Sequence, residues 1–536
     1  MMSMSLYLHA RIQFFISEGY MAQIQVSDLT FYYEGSPETV FDHVSFSIDS
    51  SWKLGLIGRN GKGKTTLLNL LMGKYEYTGS ISGFSSFDYF PYENKGSTPG
   101  QTGAQLMEIW KPSAELWQVL IQMSLLEMKE ELLYRPFETL SFGERTRLML
   151  AVLFSGENEF LLIDEPTNHL DQQARNIVKK YLSGKKGFIL VSHDRDLLDD
   201  VIDHVLVLNR NSIAIEAGNF SSWWENKERS DAFAAAENEK HKKEISKLKT
   251  AADRSSRWAD KNEQTKIGYD PVKEHDRNIA TRAYIGAKTK KMQSRVKNYE
   301  KRIDREIEEK EGLLKDIESI RDLKLTPLAY HKEVLIRAKE LSMRYEDSAR
   351  PLCENLSFEI RRGERVFICG RNGCGKSSLI RLILAAAGME EAEHRVKMDH
   401  LLFEGELYAS PGLRLSYINQ DTSFLKGTIR DFCRQEGLEE SLYFSVLRQL
   451  DVDRREFDRN MEDFSEGQKK KILIAASLVT PAHLYIWDEP MNYIDVFSRM
   501  QIEKLILQYQ PTMLLVDHDI RFIEKTAKGN HREIRL

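Results

Sequence analysis

Apolar runs of about five residues that end at glycine recur along this chain. "WKLGLI" (52–57) and "RVFIC" (365–369) predict short buried strands. Each is followed by a glycine-rich turn and then by an apolar stretch that predicts a helix, "TTLLNLLM" (65–72) and "SSLIRLIL" (377–384). "FLLIDEPTNHLD" (160–171) and "LYIWDEPMNYID" (484–495) open on continuous apolar runs, the pattern of parallel strands buried on both faces. "LVSHDRDLL" (190–198) and "LVDHDIRFI" (515–523) again read as strand followed by helix. The same order occurs twice, which predicts two tandem α/β domains. Between them, from about 225 to 330, the pattern changes. "ENEKHKKEISKLKTAADRSSRWADKNE" is charged and helix-favouring. Further on, Met292, Val296, Tyr299, Ile303, Ile307, Leu313, Leu314, Ile317 and Ile320 recur mostly three or four apart, as in a coiled-coil seam. "IGYDPVKEHDRNIATRAYIG", with Pro271 and two glycines, supplies a turn, so the segment reads as an antiparallel pair of long helices. A helix of about 35 residues would project about 50 Å.

The organisation expected is therefore a first α/β domain at 21–224, a helical hairpin with a basic tip at 225–330, and a second α/β domain at 331–536. A strand-like start, "MAQIQVSDLTFYY", begins at Met21, and residues 1–20 are expected to be a start-site artefact or a disordered extension. "SLYLHARIQFFISEGY" is interrupted by His9 and Arg11 and makes a poor signal peptide.

Length and composition agree with this division. A chain of 536 residues exceeds one core. Hydrophobic content of 41% and charged content of 29% read as a soluble globular protein, and no run reaches the roughly 18 apolar residues of a membrane span. The cysteines (Cys353, Cys369, Cys374, Cys433) form no CxxC pair, which argues against a zinc site or disulfide framework and for a reducing cytoplasm. The formal net charge is -5, yet residues 281–302 hold Arg282, Lys288, Lys290, Lys291, Arg295, Lys297, Lys301 and Arg302 against Glu300 alone. A charge run is often just a solvated helix face. Placed at the far end of a stalk on an acidic protein, it also reads as a footprint for phosphate backbone, with Tyr269 and Tyr284 able to stack on exposed bases.

The chemistry is concentrated in the repeated motifs. "GRNGKGKTTL" (58–67) and "GRNGCGKSSL" (370–379) both match GxxxxGK[ST] in the strand–loop–helix setting that the motif requires. The glycines and asparagines (Gly58, Asn60, Gly61, Gly63; Gly370, Asn372, Gly373, Gly375) let successive N–H groups cradle phosphates, and the following helix N-terminus, at Thr66 and Ser378, adds positive potential. Lys64 and Lys376 would reach the β- and γ-phosphates of ATP, and Thr65 and Ser377 would ligate Mg²⁺. The strands ending in Asp164–Glu165 and Asp488–Glu489 supply a carboxylate for the metal and a second one to polarise water, although such a pair could also cap the next helix. Ser141 in "LSFGERTRL" and Ser465 in "FSEGQKKKI" read as N-caps. His193 and His518 stand within reach of a γ-phosphate, where a lone histidine can also be structural.

This order of phosphate loop, signature, DEPTNHLD-like strand and switch histidine resembles the ATP-binding cassette ATPases, over roughly residues 22–224 and 332–536. The resemblance implies two cassettes sandwiching two ATPs head to tail. One site would join Lys64, Asp164, Glu165 and His193 to Ser465 and Gly467; the other would join Lys376, Asp488, Glu489 and His518 to Ser141 and Gly143. Tyr33 and Tyr345 sit where that family stacks an aromatic ring on adenine, though a core tyrosine would look the same. The glutamine of the family's metal loop is matched by Gln420 in "YINQD", while "DYFPYEN" offers Tyr92 or nothing. Phe142 and Glu466 replace a signature glycine, and Met491 and Tyr493 stand where the first cassette has Thr167 and His169. Two sites of unequal affinity or turnover are expected.

Cassette, long helical linker and cassette together resemble the ABC-F proteins, and "WKLGLIGRNGKGKTTLL" with "LYIWDEPMNYIDV" is similar to the Lsa-type antibiotic-resistance branch. That resemblance implies a monomeric cytoplasmic ATPase with no membrane subunit. Its arm would enter the bacterial 70S ribosome, touch 23S rRNA and the P-site tRNA near the peptidyl-transferase centre, and displace lincosamides, streptogramins A and pleuromutilins. A housekeeping ABC-F factor for stalled or energy-depleted ribosomes, or the ATPase subunit of a transporter, would share the cassettes.

Overall fold

The computed structural model describes residues 23–34, 39–83, 86–93, 100–156, 160–168, 170–208, 213–264, 301–302, 323–346, 350–389, 400–527 and 529–536. Contacts divide the chain into two units, one made of residues up to Trp223 and from Ile320 onward, the other of Trp224–Ser319.

The N-terminal domain of the first unit is built from strands β1 (Gln23–Tyr32), β2 (Thr39–Asp49), β3 (Lys53–Ile57), β4 (Thr78–Ser82), β5 (Phe87–Phe90), β6 (Phe160–Asp164), β7 (Phe188–Val191), β8 (His204–Leu208) and β9 (Ile213–Ala217). Its helices are α1 (Lys64–Leu71), α2 (Gly103–Trp110), α3 (Leu116–Leu125), α4 (Phe142–Leu153), α5 (Gln172–Ser183) and α6 (Arg195–Val201). An antiparallel sheet, β2-β1-β4, faces a larger sheet ordered β5-β6-β7-β3-β8-β9, in which only β9 runs antiparallel to its neighbour. The apolar runs seen in the sequence are its central strands: β7 is buried at every position, and so is β6 up to Ile163. Leu67, Leu68, Leu70 and Leu71 of α1 pack between the two sheets with Ile24, Leu29 and Ile48.

A 45-residue helix, α7 (Phe220–Gln264), leads out of this domain and extends about 68 Å at 1.5 Å per residue. It starts five residues before the change in composition at 225, because Phe220 and Trp223 are apolar and buried, at 2% and 4% exposure. Within the second unit its surface carries i,i+4 ion pairs, Lys227–Asp231 at 3.3 Å and Lys243–Glu239 at 3.3 Å, the kind that stabilise a solvated helix. The expected turn and most of the return helix lie outside the described residues.

The C-terminal domain repeats the first. Its strands are β10 (Val334–Tyr345), β11 (Cys353–Arg361), β12 (Arg365–Cys369), β13 (Leu401–Ala409), β14 (Leu415–Ile418), β15 (Leu484–Asp488), β16 (Met513–Val516) and β17 (His531–Arg535). Its helices are α8 (Lys376–Ala386), α9 (Ile429–Gln435), α10 (Glu440–Gln449), α11 (Glu466–Val479), α12 (Val496–Tyr509) and α13 (Ile520–Thr526). An antiparallel sheet, β11-β10-β13, covers a parallel sheet ordered β14-β15-β16-β12-β17. In both domains the phosphate-loop strand lies inside the parallel sheet, so its loop emerges at the carboxyl end between neighbouring strands, where open α/β sheets bind ligands.

Candidate nucleotide sites

Both phosphate loops turn through left-handed glycines. Gly63 (φ 91°) and Gly375 (φ 99°) sit at the starts of α1 and α8, and a Cβ there would come within 2.8 Å of Val40 Cγ1 and 3.0 Å of Leu352 Cβ. The loop lysines fold back over their own turns. Lys64 Nζ donates to Gly58 O (2.7 Å) and Asn60 Oδ1 (3.2 Å), and Lys376 Nζ to Gly370 O (2.9 Å) and Arg371 O (3.1 Å). Tyr33 and Tyr345 hang over the first turns of α1 and α8. Their hydroxyls are 2.7 Å from Thr66 Oγ1 and 2.8 Å from Ser378 Oγ, which leaves the exposed Tyr33 ring and the half-buried Tyr345 ring beside their loops.

Across from each loop stand the two carboxylates and the histidine. The backbone N–H groups of Glu165 and Glu489 donate to Val191 O and Val516 O, both at 2.9 Å, and both residues are left-handed, with φ of 52° and 48°. A non-glycine held in that region stores strain, and here it turns the carboxylate out of the strand and over the loop. His193 Nε2 lies 3.3 Å from Glu165 Oε1, and His518 Nε2 lies 3.5 Å from Glu489 Oε1.

The C-terminal loop opens into a cavity of about 310 Å³ that gathers Tyr345, Asn372, Gly373, Gly375, Lys376, Ser377, Ser378, Gln420, Glu489 and His518. Neither carboxylate oxygen of Asp488 there has a hydrogen-bond partner, although both are buried. Burial pushes this carboxyl up to about 6, against the pull of Ser377, Lys470 and Lys376. A buried, unpaired carboxylate facing a phosphate loop fits a divalent cation such as Mg²⁺, with Ser377, Asp488 and Gln420 to hold it. Among the described residues no three His, Cys, Asp or Glu side chains cluster as a metal cage. Gln420 donates its amide N–H to Glu489 Oε2 at 2.9 Å, and Asn492, not anticipated from the sequence, donates to the same oxygen at 2.8 Å. Burial raises the Glu489 carboxyl, but the His518 hydrogen bond and charge, with Lys376 and Lys470, outweigh it and hold the group below its ordinary value.

The N-terminal loop is closed by the other domain. Asn60 Nδ2 donates to Tyr493 O at 3.0 Å, and a Cβ on Gly467 would stand 2.5 Å from Tyr493 O and 2.9 Å from that Asn60 nitrogen. Arg59 pairs with Asp451 at 3.3 Å. Burial lowers the Lys64 ammonium against Asp495, Glu165 and Asp164; burial and then Asp164 push the Glu165 carboxyl up to about 8; burial, Lys64 and Arg499 hold His193 well below its ordinary value. Asp164 Oδ2 accepts from Thr65 Oγ1 at 3.3 Å and from the Tyr89 hydroxyl at 3.1 Å.

The signature serines are N-caps in capping boxes. Ser141 Oγ accepts from Glu144 N and Ser465 Oγ from Gln468 N, both at 3.3 Å, with the third residue's side chain returned to the serine N–H. Gly467 meets the opposite phosphate loop, whereas Gly143 has only Ala174 and Leu170 of its own domain nearby, at 3.5 and 3.7 Å. Tyr92 is turned away from Asp164: its ring stacks on Trp110 and its hydroxyl donates to Asp88 at 2.7 Å. His169 and the arm residues Tyr269, Tyr284, Lys288, Lys290, Lys291 and Arg295 lie outside the described residues. Sequence reasoning missed Tyr89, since a tyrosine inside a buried strand carries no motif, and it missed the buried pair Lys471–Asp495 (2.8 Å), whose partners are far apart in the chain.

The ABC transporter family model matches residues 41–168 and 353–492, which together make up half of the chain. Among curated proteins, the chain is 27% identical to the ribosome protection protein VmlR of Bacillus subtilis (strain 168), over 93% of this chain and 84% of that protein. It is 24% identical to the ATP-binding protein Uup of Buchnera aphidicola, over 91% and 77%. Among solved structures, an archaeal ribosome recycling factor, aABCE1, determined with the stalk protein aP1, matches with a TM-score of 0.55 and 18% identity over 93% of this chain and 86% of that one. The RNase-L inhibitor matches with a TM-score of 0.56 and 18% identity over 94% and 86%. At these identities the solved structures speak for the fold.

Proposed function

The chain belongs to the ABC transporter family, and from that premise we propose that it is an ABC-F-type ATPase that acts on ribosomes and protects them from antibiotics. The observation that carries this reading is the similarity to a ribosome protection protein over 93% of the chain, a share too large to leave out either cassette or the segment between them. Among the described residues no helix is long and apolar enough to cross a membrane, and a long charged helix is what a transporter ATPase would leave unexplained.

In this reading Lys64 and Lys376 hold the terminal phosphates of ATP, and the loop N–H groups cradle the rest. Thr65 with Asp164, and Ser377 with Asp488 and Gln420, would hold Mg²⁺, which when bound neutralises charge on the β- and γ-phosphates. Glu165 and Glu489 orient and deprotonate water, and His193 and His518 stand beside them toward the γ-phosphate. A site shared between domains is supported by the approach of Gly467 and Tyr493 to Asn60. ATP closes the pair only if it binds the closed state more tightly than the open one. Closure then favours the ribosome-bound shape, the arm at 225–330 reaches toward the peptidyl-transferase centre against 23S rRNA and P-site tRNA, and hydrolysis releases the protein. The drugs displaced in this reading are lincosamides, streptogramins A and pleuromutilins.

The test is co-sedimentation of the Glu165→Gln/Glu489→Gln variant with bacterial 70S ribosomes, with and without ATP, repeated with the basic residues of 288–295 neutralised. ATP-dependent pelleting that weakens on neutralisation is expected, together with reduced drug susceptibility of a host expressing the wild type. Pelleting without any change in susceptibility would replace protection by a housekeeping role. No pelleting under any condition would return the chain to a transporter.

A further inference from the structure

The two candidate sites differ at the metal end, and the difference is built into the strands that flank the carboxylates. In the N-terminal domain β5 runs beside β6 with Phe90 opposite Ile163; in the C-terminal domain β14 runs beside β15 with Ile418 opposite Trp487. Asp164 and Asp488 are the next residues of their strands, so Tyr92 and Gln420, each two positions past the end of the flanking strand, occupy equivalent places. Gln420 turns its amide to Glu489. Tyr92 cannot do the same, because its ring lies on Trp110 with centroids 5.3 Å apart and planes at 5°, and its hydroxyl donates to Asp88, which Lys111 Nζ also binds at 3.0 Å.

Three residues earlier the pattern is reversed. Tyr89 and Tyr417 are equivalent, each one residue before the strand end. The Tyr89 hydroxyl donates to Asp164 Oδ2 at 3.1 Å, whereas the Tyr417 hydroxyl donates to Asn419 Oδ1 at 3.3 Å and the Asp488 oxygens accept no hydrogen bond. The Tyr89 ring packs against the buried cluster of the N-terminal domain, and Lys74 Nζ lies over it, 5.4 Å from its centroid. A carboxylate offers about four lone-pair positions, so an oxygen that accepts from Tyr89 and Thr65 leaves the others open to a cation.

We propose that Tyr89 is a positioning residue for the cation ligand Asp164 at the N-terminal site, a role that its counterpart Tyr417, turned to Asn419, does not take at the C-terminal one. The inference rests on the reading of these loops as Mg²⁺–ATP sites. A fixed donor behind a ligating carboxylate sets the carboxylate's orientation, and loss of such a donor commonly weakens metal affinity about 10–100-fold.

The experiment uses the full chain carrying Lys376→Ala, so that only the N-terminal site loads. Binding of a fluorescent ATP analogue is followed in EDTA and across a Mg²⁺ titration, and bound Mn²⁺ is read directly by electron paramagnetic resonance. Tyr89→Phe, which keeps the packed ring, is expected to raise the Mg²⁺ midpoint and the Mn²⁺ dissociation constant about 10–100-fold while leaving binding in EDTA unchanged. Tyr417→Phe, measured in the Lys64→Ala chain, is expected to shift neither. If Tyr89→Phe changes the midpoint less than about twofold while Asp164→Asn abolishes the Mg²⁺ dependence, the positioning role is refuted and the site reading stands. Equal weakening with and without metal would make Tyr89 a purely structural residue and also refute it. If Asp164→Asn has no effect, the site reading falls and this inference falls with it.

Discussion

Arg195 and Glu503 are 308 residues apart and form a buried ion pair between the two cassettes. Arg195 follows the N-cap of α6, two residues past His193 of the first cassette, and Glu503 lies in α12 of the second. They are 2% and 3% exposed, and both guanidinium end nitrogens donate to the carboxylate, one at 3.1 Å to Oε2. The remaining nitrogen of the group, Nε, is buried without a partner. Glu503→Leu removes the only carboxylate in the pair and leaves a desolvated cation, which costs about 3–5 kcal/mol. Arg195→Leu is milder, about 1–3 kcal/mol, because Lys525 Nζ remains 3.4 Å from Glu503 and still compensates its buried charge. The double replacement removes both desolvation costs and should fall within about 1 kcal/mol of wild type. Trp223, 4% exposed and 6.3 Å from the Phe497 ring of the second cassette, reports on the same interface. Urea titrations followed by tryptophan fluorescence should therefore place the first transition lowest for Glu503→Leu, next for Arg195→Leu, and near wild type for the pair. A double variant less stable than Glu503→Leu would mean that the two side chains stabilise independently, and the reasoning from desolvation would be wrong.

The other predictions concern the sites themselves. Gly467→Ala places a methyl 2.5 Å from Tyr493 O of its own cassette and 2.9 Å from Asn60 Nδ2 of the other, and should cost about 1–3 kcal/mol of stability at that contact, whereas Gly143→Ala, with nothing nearer than 3.5 Å, should gain about 0.5–1 kcal/mol of helix stability. Steady-state ATPase assays and urea midpoints on the two variants would show the contrast, and a Gly467→Ala chain with wild-type values would contradict the observed approach. Burial lowers the Lys470 ammonium to about 8, although its Nζ donates to Asn419 O at 2.9 Å. The folded state therefore binds this proton less tightly than the unfolded chain, so the penalty is full below pH 8 and is relieved as pH rises from about 8 to 10.5. Relative to Lys470→Met, wild type should become more stable across that window in thermal melts; a constant difference would refute the assignment.

The sequence by itself determined the two cassettes and the residues of each phosphate loop, because those features are local. A phosphate cradle needs consecutive N–H groups between a strand and a helix, so Gly58 to Thr66 and Gly370 to Ser378 announce themselves within about nine residues. The parallel strands ending in Asp164–Glu165 and Asp488–Glu489 were legible for the same reason: burial on both faces forces an unbroken apolar run. The start of α7 at Phe220 was not, since buried aromatic residues there belong to the cassette and to the helix at once. Tertiary structure alone decided how the two copies differ. That Tyr89 rather than Tyr92 meets Asp164, that Gly467 closes on Asn60 while Gly143 stays within its own domain, and that Arg195 finds Glu503 all depend on strand register and on surfaces brought together from distant parts of the chain. Such contacts leave no period and no spacing behind, so one-dimensional pattern cannot carry them.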